Sequence, residues 1–436
     1  MNPAAARAAY SWLLRLALPL YFARLWWRGR REPLYRQHWG ERLGAFSGPV
    51  RTGRLWLHAV SLGETQAAAA LVQALREQQP GLALLLTHGT ATGREAGRAL
   101  LREDDAQAWL PYDTPGAVRR FLRTHRPAVG VLMETEVWPN LLHAARAAGV
   151  PTVLANARLS ARSLVKGERL AALMRPAAAS IARVLAQTEA DAQRLRAAGA
   201  GPVEVMGNLK YDVAPPPDLL ARGRQWREAL ARPVVLAAST REGEEEPLLR
   251  AWSGLPLPRP LLLLVPRHPQ RFDEVATMIA GCGLVALRRS AWGEAPPAHA
   301  GQADVWLGDT MGEMPLYYAA ADVALLGGSF APLGGHNLIE AAACGCPLLL
   351  GPHTFNFAQA AELSLAAGAA ERLPGIEAAV RRAAELVRGS ELAAGSARAQ
   401  AFAAQHRGAA TRMAQAVLAL RSTSPAAGSP PGRQVR

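Results

Sequence analysis

Three groups of residues in this chain have the types and spacing to do chemistry. Glu64 follows Gly63 where an apolar run, Leu55 to Val60, gives way to a helical pattern. A carboxylate at such a strand end can project from the turn and take a proton from a hydroxyl. Lys210 lies in Gly207-Asn208-Leu209-Lys210-Tyr211-Asp212, and it is one of only two lysines, with Lys166, among 49 basic residues. A compact ammonium can meet charge that develops on a nearby oxygen. The third group is the stretch Gly308 to Phe357. It carries Gly327-Gly328-Ser329, then Gly334-Gly335-His336-Asn337, then a helical run opening at Leu338-Ile339-Glu340. A strand, a glycine turn and a helix N-terminus make an anion cradle, because free backbone N–H groups and the helix dipole both face the turn. Glu340, in the first helical turn, can accept from both hydroxyls of a ribose, with Asp309 and Glu313 nearby in sequence. Arg267 and His268 follow the apolar strand Leu261 to Val265 and are placed to contact phosphate. No DxD pair flanked by apolar residues marks a metal site, so charge on a departing phosphate falls to Arg267, Lys210 and backbone N–H groups.

The elements that must position these groups alternate between strand and helix. In the first half, strands are predicted at Leu55–Val60, Ala83–Leu86, Ala106–Leu110, Val129–Met133, Thr152–Leu154, Arg183–Ala186 and Val203–Met206. Polar loops follow them, such as Thr87–Glu95, Glu134–Asn140 and Asn156–Ser160. Residues 213–233 contain Pro215-Pro216-Pro217 and read as a linker. A second series starts at Val234–Ala238, where Ser239 or Thr240 is expected to cap the next helix. It continues through Leu261–Val265, Val323–Leu326 and Leu348–Leu350. This alternation predicts two parallel α/β sheets with helices on both faces, facing each other across a cleft. In open sheets of this kind ligands bind outside the carboxyl ends of the strands. The expected domains are residues 32–212 and 234–390, with a helix at 391–421 packing back and a disordered Ser/Pro/Gly-rich tail at 422–436.

Composition narrows the partners. With 436 residues, half of them hydrophobic and 19% charged, the chain is globular and long enough for two domains. Cys282, Cys344 and Cys346 form neither a disulfide framework nor a CxxC site. The net charge of +14 favours anionic partners, but the arginines are scattered and no nucleic-acid motif occurs. A phospholipid surface and a phosphorylated substrate fit better. Residues 1–31 join an apolar, aromatic run, Tyr10 to Trp27, to Arg28, Arg30 and Arg31. Arg15 and Arg24 interrupt it, so a clean span is absent and an interfacial membrane anchor is expected, with the catalytic side in the cytoplasm. The scarcity of lysine and asparagine implies that those present are chemically required, five of the six asparagines lying in motif-like loops.

The motifs Leu57-His58-Ala59-Val60-Ser61-Leu62-Gly63-Glu64, Glu134-Thr135-Glu136-Val137-Trp138-Pro139-Asn140, Gly207–Asp212, Pro266-Arg267-His268-Pro269 and Gly334-Gly335-His336-Asn337 occur in this order. Together they resemble the 3-deoxy-D-manno-octulosonic acid (Kdo) transferase family of lipopolysaccharide synthesis. The resemblance implies a GT-B fold of two Rossmann-like domains, a CMP-Kdo donor and a tetraacylated lipid A precursor (lipid IVA) as acceptor. It implies inversion with no metal or cofactor, at the cytoplasmic face of the cell inner membrane. It makes Glu64 the base and Glu134 and Lys210 stabilisers of the transition state. Pro266, Arg267, Met311, Gly312, Glu313, Asn337, Leu338, Ile339 and Glu340 become the CMP site, Leu338 mainly through its backbone. Ser61, Thr87, Asn208, His268, Gly334, Gly335 and His336 are further cleft candidates. The chain departs from the family pattern at Arg241, Leu338 and Ala341. A UDP-sugar transferase and a membrane-surface binding protein on an inactive transferase fold are the competing readings, separated by which nucleotide, if any, is released.

Overall fold

The computed structural model describes residues 2–48 and 50–423. The chain forms two compact units, one running to Asp212 and resuming at Arg407, the other Val213–His406.

The sheet of the first unit has seven parallel strands in the order β3-β2-β1-β4-β5-β6-β7. They are β1 (Leu55–His58), β2 (Leu84–His88), β3 (Ala106–Trp109), β4 (Val129–Met133), β5 (Thr152–Ala157), β6 (Arg183–Ala186) and β7 (Val203–Val205). Alternate residues face opposite sides. Leu55 and Leu57 pack with the helices Leu62–Gln78 and Ala409–Thr423, whereas Trp56 packs on the other side against Phe121 and Leu142. Apolar layers on both faces explain why these strands read as unbroken apolar runs. The strand order reverses between β1 and β4, so the loops leaving these two strands flank the switch point where such sheets hold ligands. Those loops carry Glu64 and Glu134.

The N-terminal helix, Pro3–Arg28, is docked on this unit. The Ser11 hydroxyl donates to Asn140 Oδ1 (3.1 Å), and Leu25 joins Tyr35 and Trp109 in a small core. The opposite face is bare: Trp12, Leu13, Leu16 and Leu20 are 61–74% exposed. No helix among the described residues is long and apolar enough to cross a membrane.

The second sheet also has seven parallel strands, in the order β10-β11-β9-β8-β12-β13-β14. They are β8 (Val234–Thr240), β9 (Leu261–Pro266), β10 (Ala286–Arg288), β11 (Val305–Leu307), β12 (Val323–Leu326), β13 (Leu348–Leu350) and β14 (Ala370–Arg372). Its order reverses between β8 and β12. β10, β11 and β14 were not foreseen.

Other boundaries also differ from expectation. Residues 213–233 are not a bare linker. Pro217 is the first residue of the helix Pro217–Glu228, where its missing N–H costs nothing. That helix packs on Met314–Ala320 closely enough that a Cβ at Gly223 would lie 2.3 Å from Leu316 O. The C-terminal region is divided: Leu392–Gln405 stays in the second unit, and only Ala409–Thr423 packs on the first. Ser422 and Thr423 are helical, and the remainder of the expected tail lies outside the described residues. Ser239 and Thr240 cap no helix, because both belong to the end of β8, with Ser239 at φ 56°.

Candidate active site

In the first unit, Ser61 caps the helix Leu62–Gln78, its hydroxyl accepting from Glu64 N–H (3.4 Å). Glu64 folds back over this helix start. Oε1 accepts from the Ser61 hydroxyl (3.0 Å) and Oε2 from Val60 N–H (2.8 Å). Burial raises the Glu64 pKa against these two hydrogen bonds, and the Glu134 charge raises it further. A half-buried carboxylate that holds its proton more tightly is a stronger base when ionised.

β4 ends at Met133, and Glu134 turns the chain with φ 58°. Its Oε2 accepts from Arg158 Nε (2.8 Å) at the end of β5. Glu136, two residues on, accepts from Trp138 Nε1 (2.7 Å). Burial, with Glu64 and then Glu134 adding to it, pushes Glu136 up to about 7. The His58 Nε2 atom is 3.8 Å from Glu136 Oε2. Complete burial pushes His58 down to about 3, so this contact is between a neutral imidazole and a carboxyl and is no ion pair. Lys210 sits in the turn Leu209–Asp212. Burial lowers its pKa, Glu134 opposes that and Arg158 reinforces it. Glu64, Glu134, Glu136, Arg158 and Lys210 thus form one electrostatic cluster beside the switch point.

Two asparagines support this cluster, one of them the cleft candidate Asn208. Asn156 adopts φ 52°, a conformation asparagine tolerates, and its Oδ1 accepts from Leu209 N–H (3.1 Å), anchoring the Lys210 turn. Asn208 Oδ1 accepts from Lys210 N–H (3.0 Å). The scarce asparagines are therefore explained by turn geometry here, and Asn140 by its bonds to Asp113 and Ser11. Glu136 was visible within its motif, but only proximity marks it. Thr87 is corrected: it belongs to β2, is fully buried, and bonds His58 and Trp56 (Nε1–Oγ1, 2.8 Å), which leaves it no role as a contact residue.

In the second unit, Arg267 and His268 are exposed beyond β9, and Arg267 N–H donates to Thr240 O (2.9 Å). Burial, followed by Arg267, Arg241 and His268, pushes His336 down to about 4. A neutral imidazole among these groups marks a cationic patch at the strand ends. Gly334 and Gly335 take φ 88° and 75°, and a Cβ at Gly334 would lie 2.5 Å from Asn356 Nδ2. Asn337 Oδ1 accepts from Ile339 N–H (3.2 Å), starting the helix Ile339–Ala343 with Glu340 in its first turn. Burial raises Glu340, and Arg267 opposes this.

The anion cradle is smaller than expected. Buried Glu244 already fills its first part, accepting from the N–H groups of Gly328 (2.7 Å), Phe330 (3.0 Å), Ala331 (3.2 Å) and Arg241 (2.9 Å). The turn Gly334–Leu338 remains for a ligand. Glu313 also points elsewhere. Its carboxylate pairs with Arg222 (2.9 Å) and Arg289 (2.8 Å) and accepts from Thr310 and Tyr317. Asp309 is held by Ser290 N–H (2.8 Å) and hydroxyl (2.7 Å). Leu338 and Ile339 are buried, so they can offer a ligand only backbone. Met311 and Gly312 are exposed.

The comparisons with known proteins agree with this geometry. A family profile described as 3-deoxy-D-manno-octulosonic-acid transferase (kdotransferase) matches residues 37–213. A 3-deoxy-D-manno-octulosonic acid transferase of Bordetella pertussis is 50% identical over 426 residues, 94% of this chain and 98% of that protein. The chain belongs to the 3-deoxy-D-manno-octulosonic acid transferase family. The transferase of the same name from Haemophilus influenzae is 36% identical, covering 80% of this chain and 83% of its own. Solved structures bear out the GT-B architecture of this glycosyltransferase. A glycosyltransferase from Rickettsia africae aligns with a TM-score of 0.57 at 12% identity, over 85% of this chain and 98% of that one. The Anabaena protein HepE in complex with UDP aligns with a TM-score of 0.55 at 16% identity, over 84% of this chain and 100% of that one. At such identities these two speak for the fold alone.

Proposed function

We propose that this chain transfers Kdo from CMP-Kdo to a tetraacylated lipid A precursor in lipopolysaccharide core synthesis, with inversion and without a metal. The observation that carries the reading is the Glu64 carboxylate, half-buried at the switch point with the Glu134 charge acting on it and Lys210 in turn facing Glu134. Glu64 takes the proton of the acceptor hydroxyl. That oxygen forms the new bond to the anomeric carbon as the bond from this carbon to the CMP phosphate breaks. A single displacement brings the oxygen in opposite the leaving group, which is inversion. Glu134 faces the positive charge that develops on the sugar, and Lys210 meets the negative charge that develops on the departing phosphate oxygens.

The second unit takes CMP. Arg267 and His268, beyond Pro266, contact the phosphate with Arg241 beside them. The backbone of Met311, Gly312 and Glu313 and the segment Asn337–Glu340 take the nucleoside. The N-terminal helix lies on inner-membrane phospholipid at the cytoplasmic face, its apolar side down and its arginines at the headgroups; the exposed Trp12, Leu13, Leu16 and Leu20 support this.

The test is incubation with CMP-Kdo and the lipid, read by CMP release and by the mass of the lipid. Acceptor-dependent CMP release with a mass gain of whole Kdo units is expected. UDP release from a UDP-sugar, or no acceptor dependence, would overturn the reading. Glu64→Gln keeps the shape and removes the basicity, so turnover should fall about 10²-fold or more with donor affinity nearly unchanged.

A further inference from the structure

Beside the carboxylate cluster, the first unit holds a pocket that the reaction as described does not use. It lies between the helices Ala161–Glu168 and Ala171–Ala179 and encloses about 100 Å³. An apolar space of that order takes the end of a hydrocarbon chain, since a cavity of about 150 Å³ lined by aliphatic and aromatic side chains takes benzene. Its walls are almost wholly apolar, among them Val137, Leu159, Leu164, Met174 and Leu195.

Three features say what fits. First, the interior is apolar and offers a ligand little to hydrogen-bond, which suits a hydrocarbon chain. Second, apolar residues continue outward: Val165 and Leu170 are 55% and 59% exposed on the same two helices. Around them Arg162, Lys166, Arg169 and Arg175 are all exposed, against a single acid, Glu168. An acylated lipid bearing phosphate complements an apolar slot rimmed by cations. Third, the pocket shares its loops with the carboxylates. Val137 follows Glu136, and Leu159 follows Arg158, which holds Glu134. A chain seated there sets its head group over the cluster.

We propose that this pocket takes one acyl chain of the lipid acceptor and sets the acceptor hydroxyl in register with Glu64. The inference rests on the transfer to an acylated lipid proposed above. The pocket thereby makes acylation a condition of efficient transfer, since each buried methylene is worth about fourfold in affinity.

Gly167 lines the pocket, and a Cβ there meets nothing within 4 Å, so Gly167→Phe adds bulk at the pocket wall without a backbone clash. It also replaces a poor helix former, so the fold should survive. The full chain and the variant are compared on the detergent-dispersed tetraacylated acceptor and on its fully deacylated disaccharide at saturating CMP-Kdo. Wild type should prefer the acylated acceptor, and Gly167→Phe should raise the KM for it by about tenfold or more. The rate on the deacylated acceptor should not change. Gly167→Ser, which leaves the space open, should behave as wild type. An unchanged KM in Gly167→Phe, with wild type active, overturns the acyl site and leaves the transfer reading intact. Failure of wild type to transfer Kdo to either acceptor overturns both. Flotation with anionic phospholipid vesicles separates bulk membrane as the occupant: a Gly167→Phe variant that loses flotation yet keeps its acyl preference overturns the proposal.

Discussion

Glu136 stands between Glu64, Glu134 and the neutral His58, and its carboxyl is pushed from 4.5 to about 7. A carboxyl raised on folding binds more protons in the folded state than in the unfolded one. Its contribution to stability is therefore present below about 4.5 and is lost as pH rises to about 7 and beyond. Glu136→Gln keeps an acceptor for Trp138 and abolishes this loss. Between pH 5 and pH 8 the melting temperature of wild type should fall by several degrees relative to that of the variant, since 1 kcal/mol is worth about 2–4 °C in a unit of this size. Neutralising Glu136 also removes a like charge from beside Glu64. The acidic limb of the rate profile should move to lower pH. An unaltered limb together with an unaltered melting difference would remove Glu136 from the cluster.

At the scale of elements, one buried carboxylate shapes the second unit. Glu244 holds the Gly328–Ala331 turn and the Arg241 loop through four backbone N–H groups. Glu244→Gln turns an amide toward donors, and hydrogen bonds to charged groups are worth about 1.5–3 kcal/mol each. The variant should lose at least about 2 kcal/mol of stability and bind CMP more weakly, seen by denaturation and calorimetry. Stability equal to wild type would show that the turn holds itself. The N-terminal helix separates two roles by face. Leu16 and Leu20 are each 74% exposed. Leu16→Ser with Leu20→Ser should weaken vesicle flotation and leave the stability within about 0.5 kcal/mol of wild type. Deleting the helix is a different experiment. It strips Leu25 from its core and breaks the Tyr10–Asp113 and Ser11–Asn140 hydrogen bonds, so it should lower stability as well as membrane binding.

At the scale of the whole chain, the first unit is completed only when the chain returns at Arg407. Asp212 makes that closure. Its carboxylate accepts from Gly408 N–H and Ala410 N–H (2.7 Å) at the start of the last helix, which then packs on Leu62–Gln78. Losing such a cap costs about 0.5–2 kcal/mol. Asp212→Ala should speed hydrogen exchange in residues 409–423 and in Leu62–Gln78, the helix that carries Glu64, while exchange in β8–β14 stays as it was. Uniform acceleration in both units would mean that the cap does not act locally.

The alternating strands and helices, the two sheets and the positions of Glu64, Lys210 and Arg267 at strand ends were legible in the sequence. Strand period, glycine turns and capping residues are local, and each leaves its mark within a few residues. The same holds for the exposed apolar face of the N-terminal helix. The strands β10, β11 and β14 carried no such mark, and Pro217 looked like a breaker until its place in a first helical turn was seen. Which polar side chains are consumed by the fold was not local at all. Thr87 is spent on His58 and Trp56, Glu313 on Arg222 and Arg289, and Glu244 on a turn more than 80 residues away. The elevated Glu136 and the apolar pocket likewise depend on burial by segments distant in sequence. Spacing records what a residue could do, whereas desolvation and partnership, which decide what it does, exist only once the chain has packed.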